Sequence, residues 1–304
     1  MVITDRLTDS GLFPSVILLD TVSYCNLFCS MCGFRKMTRP KGYMSWELFR
    51  KIIDEVADTK PDTRVWMVFF GESLIRHDIF DMIRYTKDKG LTDVVLNSNG
   101  MLLDNIDIRA ELISSGLDSI YIGIDAATRE TYDKLRVGGD FKKVLWNVKR
   151  LAAESEKYGH PKVYAQFVEM EENQHEKDDF ISYWSSLGVS VKIRPKVTFT
   201  GAATPFNVQN IPRYPCHWVM QTMSILWNGD VCLCANDYDG KYIFGLVTES
   251  SIKDTWALGK AVREAHGFGN WGVLPTPCRE CTDWQMARAE FREVDSGKVP
   301  NIRV

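Results

Sequence analysis

The sequence predicts an α/β fold: a partial (βα)6 TIM-like barrel with a small C-terminal cysteine-rich module. Three observations predict it. Apolar, β-rich runs alternate with helical-period segments six times before Lys196. Helical segments stop at Gly90, Gly116 and Gly188, each followed directly by a strand. Past Lys196 the rhythm gives way to turns, tryptophans and five of the eight cysteines. Strands that are apolar throughout, each joined to the next by a helix, imply a parallel sheet buried on both faces, with chemistry at the C-terminal strand ends.

In chain order, Val16–Asp20 reads as the first strand, and a cysteine loop follows at once. Ser45 caps a helix whose Leu48, Phe49, Ile52, Ile53 and Val56 recur at three and four residues. Val65–Phe70 is the second strand. Helix 78–89, strand 93–97, helix 104–115, strand 118–124, helices near 128–135 and 141–157, strand 162–169, helix 173–187 and strand 189–194 complete the series. Residues 1–15 form an N-terminal extension, 16–200 the barrel and 201–304 the appended module. Within that module Asn228-Gly229 marks a type I′ hairpin turn in Ile225–Val231.

Composition narrows the function. With 304 residues, 45% hydrophobic and 25% charged, the chain has the make-up of a soluble enzyme with a large core. A formal charge of −3 and scattered basic residues give no footprint for nucleic acid. The N-terminus has no signal-peptide pattern and no apolar run approaches the roughly 20 residues of a membrane span, so the expectation is a cytoplasmic protein. Eight cysteines in a reducing compartment argue for metal or redox chemistry over disulfides.

Three of those cysteines, Cys25, Cys29 and Cys32, form C-x3-C-x2-C in the loop after the first strand. A closed structural zinc or iron–sulfur site takes four protein ligands, so three thiolates on one loop either borrow a distant ligand or leave a metal position open. The strand ends that follow carry Phe69-Phe70-Gly71-Glu72, Asn97-Ser98-Asn99-Gly100 and Gly123-Ile124-Asp125, and Lys134–Gly138 contains Arg136. Singly, Asn99-Gly100 is a turn, Glu72 a helix cap and Arg136 a surface charge. Together, downstream of the cysteine loop, they resemble the strand-end motifs of radical S-adenosylmethionine (SAM) enzymes.

That resemblance implies that Cys25, Cys29 and Cys32 hold a 4Fe-4S cluster whose fourth iron is chelated by SAM, and that reductive cleavage of SAM yields a 5′-deoxyadenosyl radical. It further implies that Gly71 and Glu72 receive the SAM ammonium, that Ser98, Asn99 and Asp125 lie beside SAM, that Arg136 faces its carboxylate and that Met31 packs on its adenine. Phe70 departs from the family's usual glycine, and Gly123 from its usual serine.

Cys216, Cys232, Cys234, Cys278 and Cys281 lie in the C-terminal module. Their spacing resembles the auxiliary-cluster modules called SPASM and, in shortened form, twitch. This implies one fully ligated 4Fe-4S cluster on Cys216, Cys234, Cys278 and Cys281, with zinc in the same four-thiolate site as the structural alternative. Strand alternation puts Cys232 on the side of Cys234, away from Val231 and Leu233. Its thiol is either a small buried hydrophobe or a hydrogen-atom donor.

The arrangement is most similar to radical SAM dehydrogenases of the 2-deoxy-scyllo-inosamine type, in which a secondary alcohol becomes a ketone and the auxiliary cluster takes the remaining electron. Arg194 and Lys196 are the candidates for substrate binding or proton removal. The expected partners are a sugar, cyclitol or aminoglycoside substrate and a flavodoxin- or ferredoxin-type reductant. Epimerisation through Cys232 and modification of a ribosomally made peptide are the alternative reactions; a non-enzymatic zinc scaffold is the alternative from another class.

Overall fold

The computed structural model describes residues 11–198, 212–284 and 289–294. Its centre is a ten-stranded sheet. Strands β1 (Val16–Leu19), β2 (Arg64–Trp66), β3 (Val94–Ser98), β4 (Ser119–Gly123), β5 (Lys162–Glu169) and β6 (Ser190–Pro195) lie side by side in chain order, all parallel. Between them run helices α1 (Trp46–Thr59), α2 (Ile79–Asp88), α3 (Ile106–Ser114), α4 (Arg129–Leu135), α5 (Phe141–Tyr158) and α6 (Lys177–Ser186). This is the (βα)6 partial barrel that the apolar periodicity predicts.

Alternation along each strand divides its side chains between two environments. Ile17, Val65, Leu96, Ile120, Phe167 and Val191 join Phe49, Ile52 and Val148 of the helices in one continuous core. Trp66, Val95, Tyr121 and Tyr164 form a separate cluster inside the barrel. Ser45 caps α1 as expected, its hydroxyl accepting the Leu48 N–H at 3.2 Å.

The second strand is shorter than expected. It ends at Trp66, because the Met67 carbonyl accepts the hydroxyls of Thr21 (3.3 Å) and Ser73 (2.6 Å), which turns the chain outward into the Gly71-Glu72 loop. The expected helix 104–115 also contracts, to a 3-10 turn over Met101–Asp104 and then α3.

Both edges of the barrel sheet are extended by C-terminal strands that sequence reading does not place there. Beyond β1 lie β7 (Thr222–Ile225), parallel to it, then β8 (Asp230–Cys232) and β9 (Ile243–Leu246), antiparallel. At the other edge β10 (Glu290–Arg292) pairs antiparallel with β6. The proposed boundary between barrel and module, near residue 200, lies outside the described residues. Among the described ones, barrel and module share one sheet.

The hairpin turn is not type I′. Only Gly229 takes a positive φ (95°), while the Gly229 N–H bonds to the Leu226 carbonyl at 2.9 Å and the Leu226 N–H to that of Asp230 at 2.8 Å. That is a three-residue loop ending in a left-handed glycine. The longer loop carries Trp227 onto Pro40, whose carbonyl accepts the indole N–H at 3.1 Å. Asp239 in turn accepts the Thr38 hydroxyl at 2.7 Å and the Arg39 N–H at 3.0 Å. The module thus grips the chain just past the cysteine loop.

Glu176, just before α6, is 4% exposed and caps α4 from outside. Its oxygens accept the N–H groups of Ala127 (2.6 Å) and Thr128 (3.1 Å) and the hydroxyls of Thr128 and Thr131, both at 2.5 Å. Burial works to raise its pKa, but these four donors prevail and hold it below the ordinary glutamate range. A lowered folded pKa contributes stability above the unfolded value, lost as pH falls through the folded one. Glu176→Ala is expected to cost about 2 kcal/mol by leaving the buried Thr131 hydroxyl without a partner and the more exposed donors of Ala127 and Thr128 to water. Urea unfolding at pH 7 measures it, and the difference from wild type should shrink below pH 4 or so.

Candidate functional site

The cysteine loop is held from two sides. The N–H groups of Phe28 and Ser30 bond to the carbonyls of Val137 and Leu135, both at 2.9 Å, which ties the loop to the end of α4. Each thiol also receives donors: Cys25 from Leu27 N–H (3.5 Å) and Asn99 Nδ2 (3.9 Å), Cys29 from Arg136 Nη1 (3.6 Å) and Cys32 from Phe34 N–H (3.4 Å). Such donors favour thiolate. Burial nevertheless pushes Cys25 up to about 11 and Cys32 to about 12. Thiols of this kind ionise when a metal replaces the proton.

Glu72 follows β2 and is 2% exposed. One oxygen accepts Leu74 N–H at 3.2 Å, capping a short 3-10 turn, and the other accepts Asn99 N–H at 2.7 Å. Burial still pushes its carboxyl upward, so a bound ammonium would stabilise its charged form. Gly71 meets protein where a ligand was expected. A Cβ there would stand 2.0 Å from the Val22 carbonyl oxygen, so glycine lets β2's loop close on the stem of the cysteine loop. Gly71→Ala is expected to destabilise by about 3 kcal/mol through that clash, read as a lowered denaturation midpoint and poorer retention of iron.

Asn99 links strand 3 to the loop: its Nδ2 donates to Asn26 Oδ1 at 2.7 Å, and its Oδ1 accepts Met101 N–H at 3.0 Å. Ser98 Oγ accepts Gly100 N–H at 3.0 Å. Asp125 sits past β4 in the left-handed region (φ 61°), fully buried, with Oδ1 on Val168 N–H at 2.8 Å and Oδ2 paired with Arg136 Nη2 at 2.6 Å. This pair explains the glycine at position 123: a Cβ there would lie 2.0 Å from Arg136 Nη2. Met31 is half-buried against Leu135, Val168 and Met170. All these residues, scattered over the sequence, converge on one rim of the barrel around Cys25, Cys29 and Cys32.

Beside the loop a cavity of ≈ 200 Å³ opens at the C-terminal strand ends. Cys32 stands in its wall with Leu18, Trp66, Phe69, Phe70, Asn97, Gln166, Lys192 and Arg194, and the module closes it with Trp218, Ala235 and Asn236. Arg194 therefore lines it as expected. Lys196 does not: β6 ends at Pro195, and the Lys196 N–H bonds to the Glu169 carbonyl at 3.1 Å. Lys192 does, and sequence reading missed it. The signal was present in Val191-Lys192-Ile193-Arg194, which alternates apolar and cationic residues within a strand otherwise expected to be apolar on both faces.

A second, smaller cavity lies within the module and is lined by Cys216, Cys234, Cys278 and Cys281 with Trp218, Leu233, Asn236 and Trp284. Burial raises all four thiols, Cys278 and Cys281 to about 12. Among the described residues no three His, Cys, Asp or Glu side chains converge closely enough for a single metal ion.

Cys232 departs from the expected side. The β8–β9 pairing shifts register between Val231 and Cys232, and β8 ends there. Leu233 and Cys234 consequently both line the module's cavity, whereas Cys232, 1% exposed, lines neither cavity and sits in the field of Asp237, Arg39 and Asp20.

Fold and site define an iron–sulfur enzyme built on a partial barrel, with an open three-thiol loop and a closed four-thiol chamber. The chain belongs to the radical SAM superfamily, which matches residues 20–172, and residues 216–282 match SPASM, an iron–sulfur cluster-binding domain. Its cofactors are accordingly SAM and two 4Fe-4S clusters, one that binds SAM and one auxiliary.

Among curated proteins it is similar to the AdoMet-dependent heme synthase of Methanosarcina barkeri, 35% identical over 141 residues, which is 45% of this chain and 39% of that relative. The chain thus matches well under half of the relative's length. Among solved structures it is similar to BtrN in complex with AdoMet and 2-DOIA, with a TM-score of 0.64, 19% identity and coverage of 88% of this chain and 92% of that one. It is also similar to Streptococcus suis SuiB bound to precursor peptide SuiA, with a TM-score of 0.68, 13% identity and coverage of 85% and 69%. At these identities the two structures establish a shared fold. No helix among the described residues is long and apolar enough to cross a membrane.

Proposed function

We propose that this chain is a radical SAM dehydrogenase that oxidises a secondary alcohol of a carbohydrate or cyclitol to a ketone. In this reading Cys25, Cys29 and Cys32 ligate the SAM-binding cluster, and Cys216, Cys234, Cys278 and Cys281 the auxiliary one. Glu72 takes the SAM ammonium, Arg136 its carboxylate, Ser98, Asn99 and Asp125 flank it, and Met31 packs beside its adenine. When bound, SAM and its cluster supply the radical that removes a carbon-bound hydrogen atom. The protein's own residues orient the alcohol, take its proton and provide a route for the remaining electron.

One observation carries this reading: Trp218 and Asn236 line both cavities. The closed four-thiol site is therefore a single side-chain layer from the space where substrate would lie. A site with no open coordination position, so placed, suits electron acceptance. BtrN, seen with 2-DOIA, matches the dehydrogenase resemblance drawn from the cysteine pattern. Epimerisation would need a hydrogen donor facing the cavity, and the buried Cys232 does not line it. The cluster reductant is proposed to be a flavodoxin or ferredoxin, in the cytoplasm.

Anaerobic incubation of reconstituted protein with dithionite, SAM and a panel of sugars and cyclitols in deuterated buffer tests the reading. Mass spectrometry is expected to show 5′-deoxyadenosine and a ketone without carbon-bound deuterium. Recovery of substrate at unchanged oxidation level with one carbon-bound deuterium would show epimerisation and overturn it.

A further inference from the structure

The cavity's charge is one-sided. Lys192 and Arg194 project into it from β6, and among the described residues no aspartate or glutamate lines it. Lys192 is 7% exposed, and its Nζ stands over the rings of Tyr121 (4.0 Å), Trp66 (4.9 Å) and Phe291 (5.5 Å). Among the described residues neither Lys192 nor Arg194 is paired with a carboxylate, although most other buried cations of the chain are: Arg39 with Asp20, Arg76 with Asp78, Arg109 with Glu154 and Arg136 with Asp125.

Aromatic faces offset part of the cost of burying an ammonium but leave its charge uncompensated. If Lys192 served only to plug the barrel floor, an apolar side chain would do so at lower cost. A buried Lys192 and a half-buried Arg194 face an open cavity beside Asn97 and Gln166, with no carboxylate among the described residues hydrogen-bonded to either and the fields of Asp125 and Asp283 acting on the arginine; this is the expected lining of a site whose remaining counter-charge arrives with the ligand.

We propose that the substrate carries an anionic group, a carboxylate or a phosphate ester, and that Lys192 and Arg194 bind it in this cavity. The proposal rests on the cavity being the substrate site, and it turns the expected substrate from an aminocyclitol, which would bring a cation, toward an acidic sugar or a sugar phosphate.

The groups facing Lys192 give the proposal a proton signature. Arg194 on its own strand and Arg64 on β2 repel its charge, Arg64 being itself paired with Asp93 at 2.7 Å. From β4 Tyr121, its phenol raised to about 12 by burial, stays neutral and stacks on Tyr164 of β5 at 4.8 Å; Trp66 and Phe291 carry no charge. Burial first, then the two arginines, bring Lys192 down to about 7. An anion arriving beside it raises that value, so binding near pH 7.5 takes up a proton.

The test is isothermal titration of reconstituted holoenzyme with saturating SAM and no reductant, so that no turnover occurs, in two buffers of different ionisation enthalpy at pH 7.5. The probes are D-glucuronate and D-glucose 6-phosphate, which separate carboxylate from phosphate, against D-glucose and D-glucosamine. At least one anionic probe is expected to bind tenfold or more tightly than both controls, with net proton uptake. Lys192→Met is expected to weaken it tenfold or more and abolish the uptake, whereas Lys192→Arg keeps the binding and loses the uptake. Equal binding of glucose or glucosamine, absence of binding by either anion, or anion affinity unchanged in Lys192→Met would overturn the proposal. So would Lys192-dependent proton uptake on addition of SAM alone, which would assign the cations to the cofactor. If no anion binds while a neutral sugar is still converted to a ketone, this proposal falls and the dehydrogenase reading stands.

Discussion

Cys29→Ala is expected to abolish reductive cleavage of SAM, by about a thousandfold or more, which corresponds to ~4 kcal/mol or more of barrier. Cys29 is the one residue of the three that belongs to the buried core, and its thiol receives the Arg136 guanidinium. Its loss leaves two thiols on a loop still anchored by backbone bonds to the end of α4 and by Asn99 on Asn26. Iron should fall from about eight per chain, the content of two 4Fe-4S clusters, toward four, with the module's thiols still loaded. Because the loop keeps Leu27 in the main core and its backbone bonds to the end of α4, and the four-thiol chamber lies in its own apolar cluster of Val219, Leu274 and Trp284, the fold should survive. Iron and sulfide assay with 5′-deoxyadenosine measured by chromatography decides it; undiminished cleavage would remove this loop from the chemistry.

Cys278→Ala is expected to separate the two halves of the reaction. With the open cluster intact, SAM cleavage persists, but ketone per 5′-deoxyadenosine falls at least tenfold because the remaining electron has no acceptor. The comparison is informative because both variants lose one ligand of one cluster, yet only the first should lose cleavage. An equal loss of cleavage in both would point to a structural role for the module, which the grip of Asp239 on Thr38 and Arg39 and of Trp227 on Pro40 makes the relevant rival.

Much of this was legible in the sequence because local rules dominate where it was read. Period-3.6 and fully apolar runs gave the six βα units, and the cysteine spacings gave both thiol sets, since the first lies on one short loop and the second is built around the close pair Cys278 and Cys281 on a single helical turn. What was not legible depends on long-range pairing. The four residues of β7 and three of β10 have no periodicity to detect, and their places on β1 and β6 are set by edge hydrogen bonds between distant segments. The side of Cys232 turned on a single register shift. Gly71 looks like a ligand-facing glycine, and Gly123 like a bare departure from the family's serine, until their neighbours, the Val22 carbonyl and the Arg136 guanidinium, are known. Lys192 was overlooked for another reason: a lysine mid-strand looks like an exception to a buried pattern unless Arg194 two residues on is read with it.

The central claim is that one cluster starts the radical and the other receives the substrate's electron. Electron paramagnetic resonance tests it on holoenzyme prepared with the SAM-binding cluster reduced and the auxiliary cluster oxidised, given one equivalent of SAM and a turned-over alcohol, and frozen after a single turnover. The expected result is a reduced auxiliary-cluster signal equal in amount to the ketone formed and missing in Cys278→Ala. Ketone formed in full while the auxiliary cluster stays oxidised would contradict it.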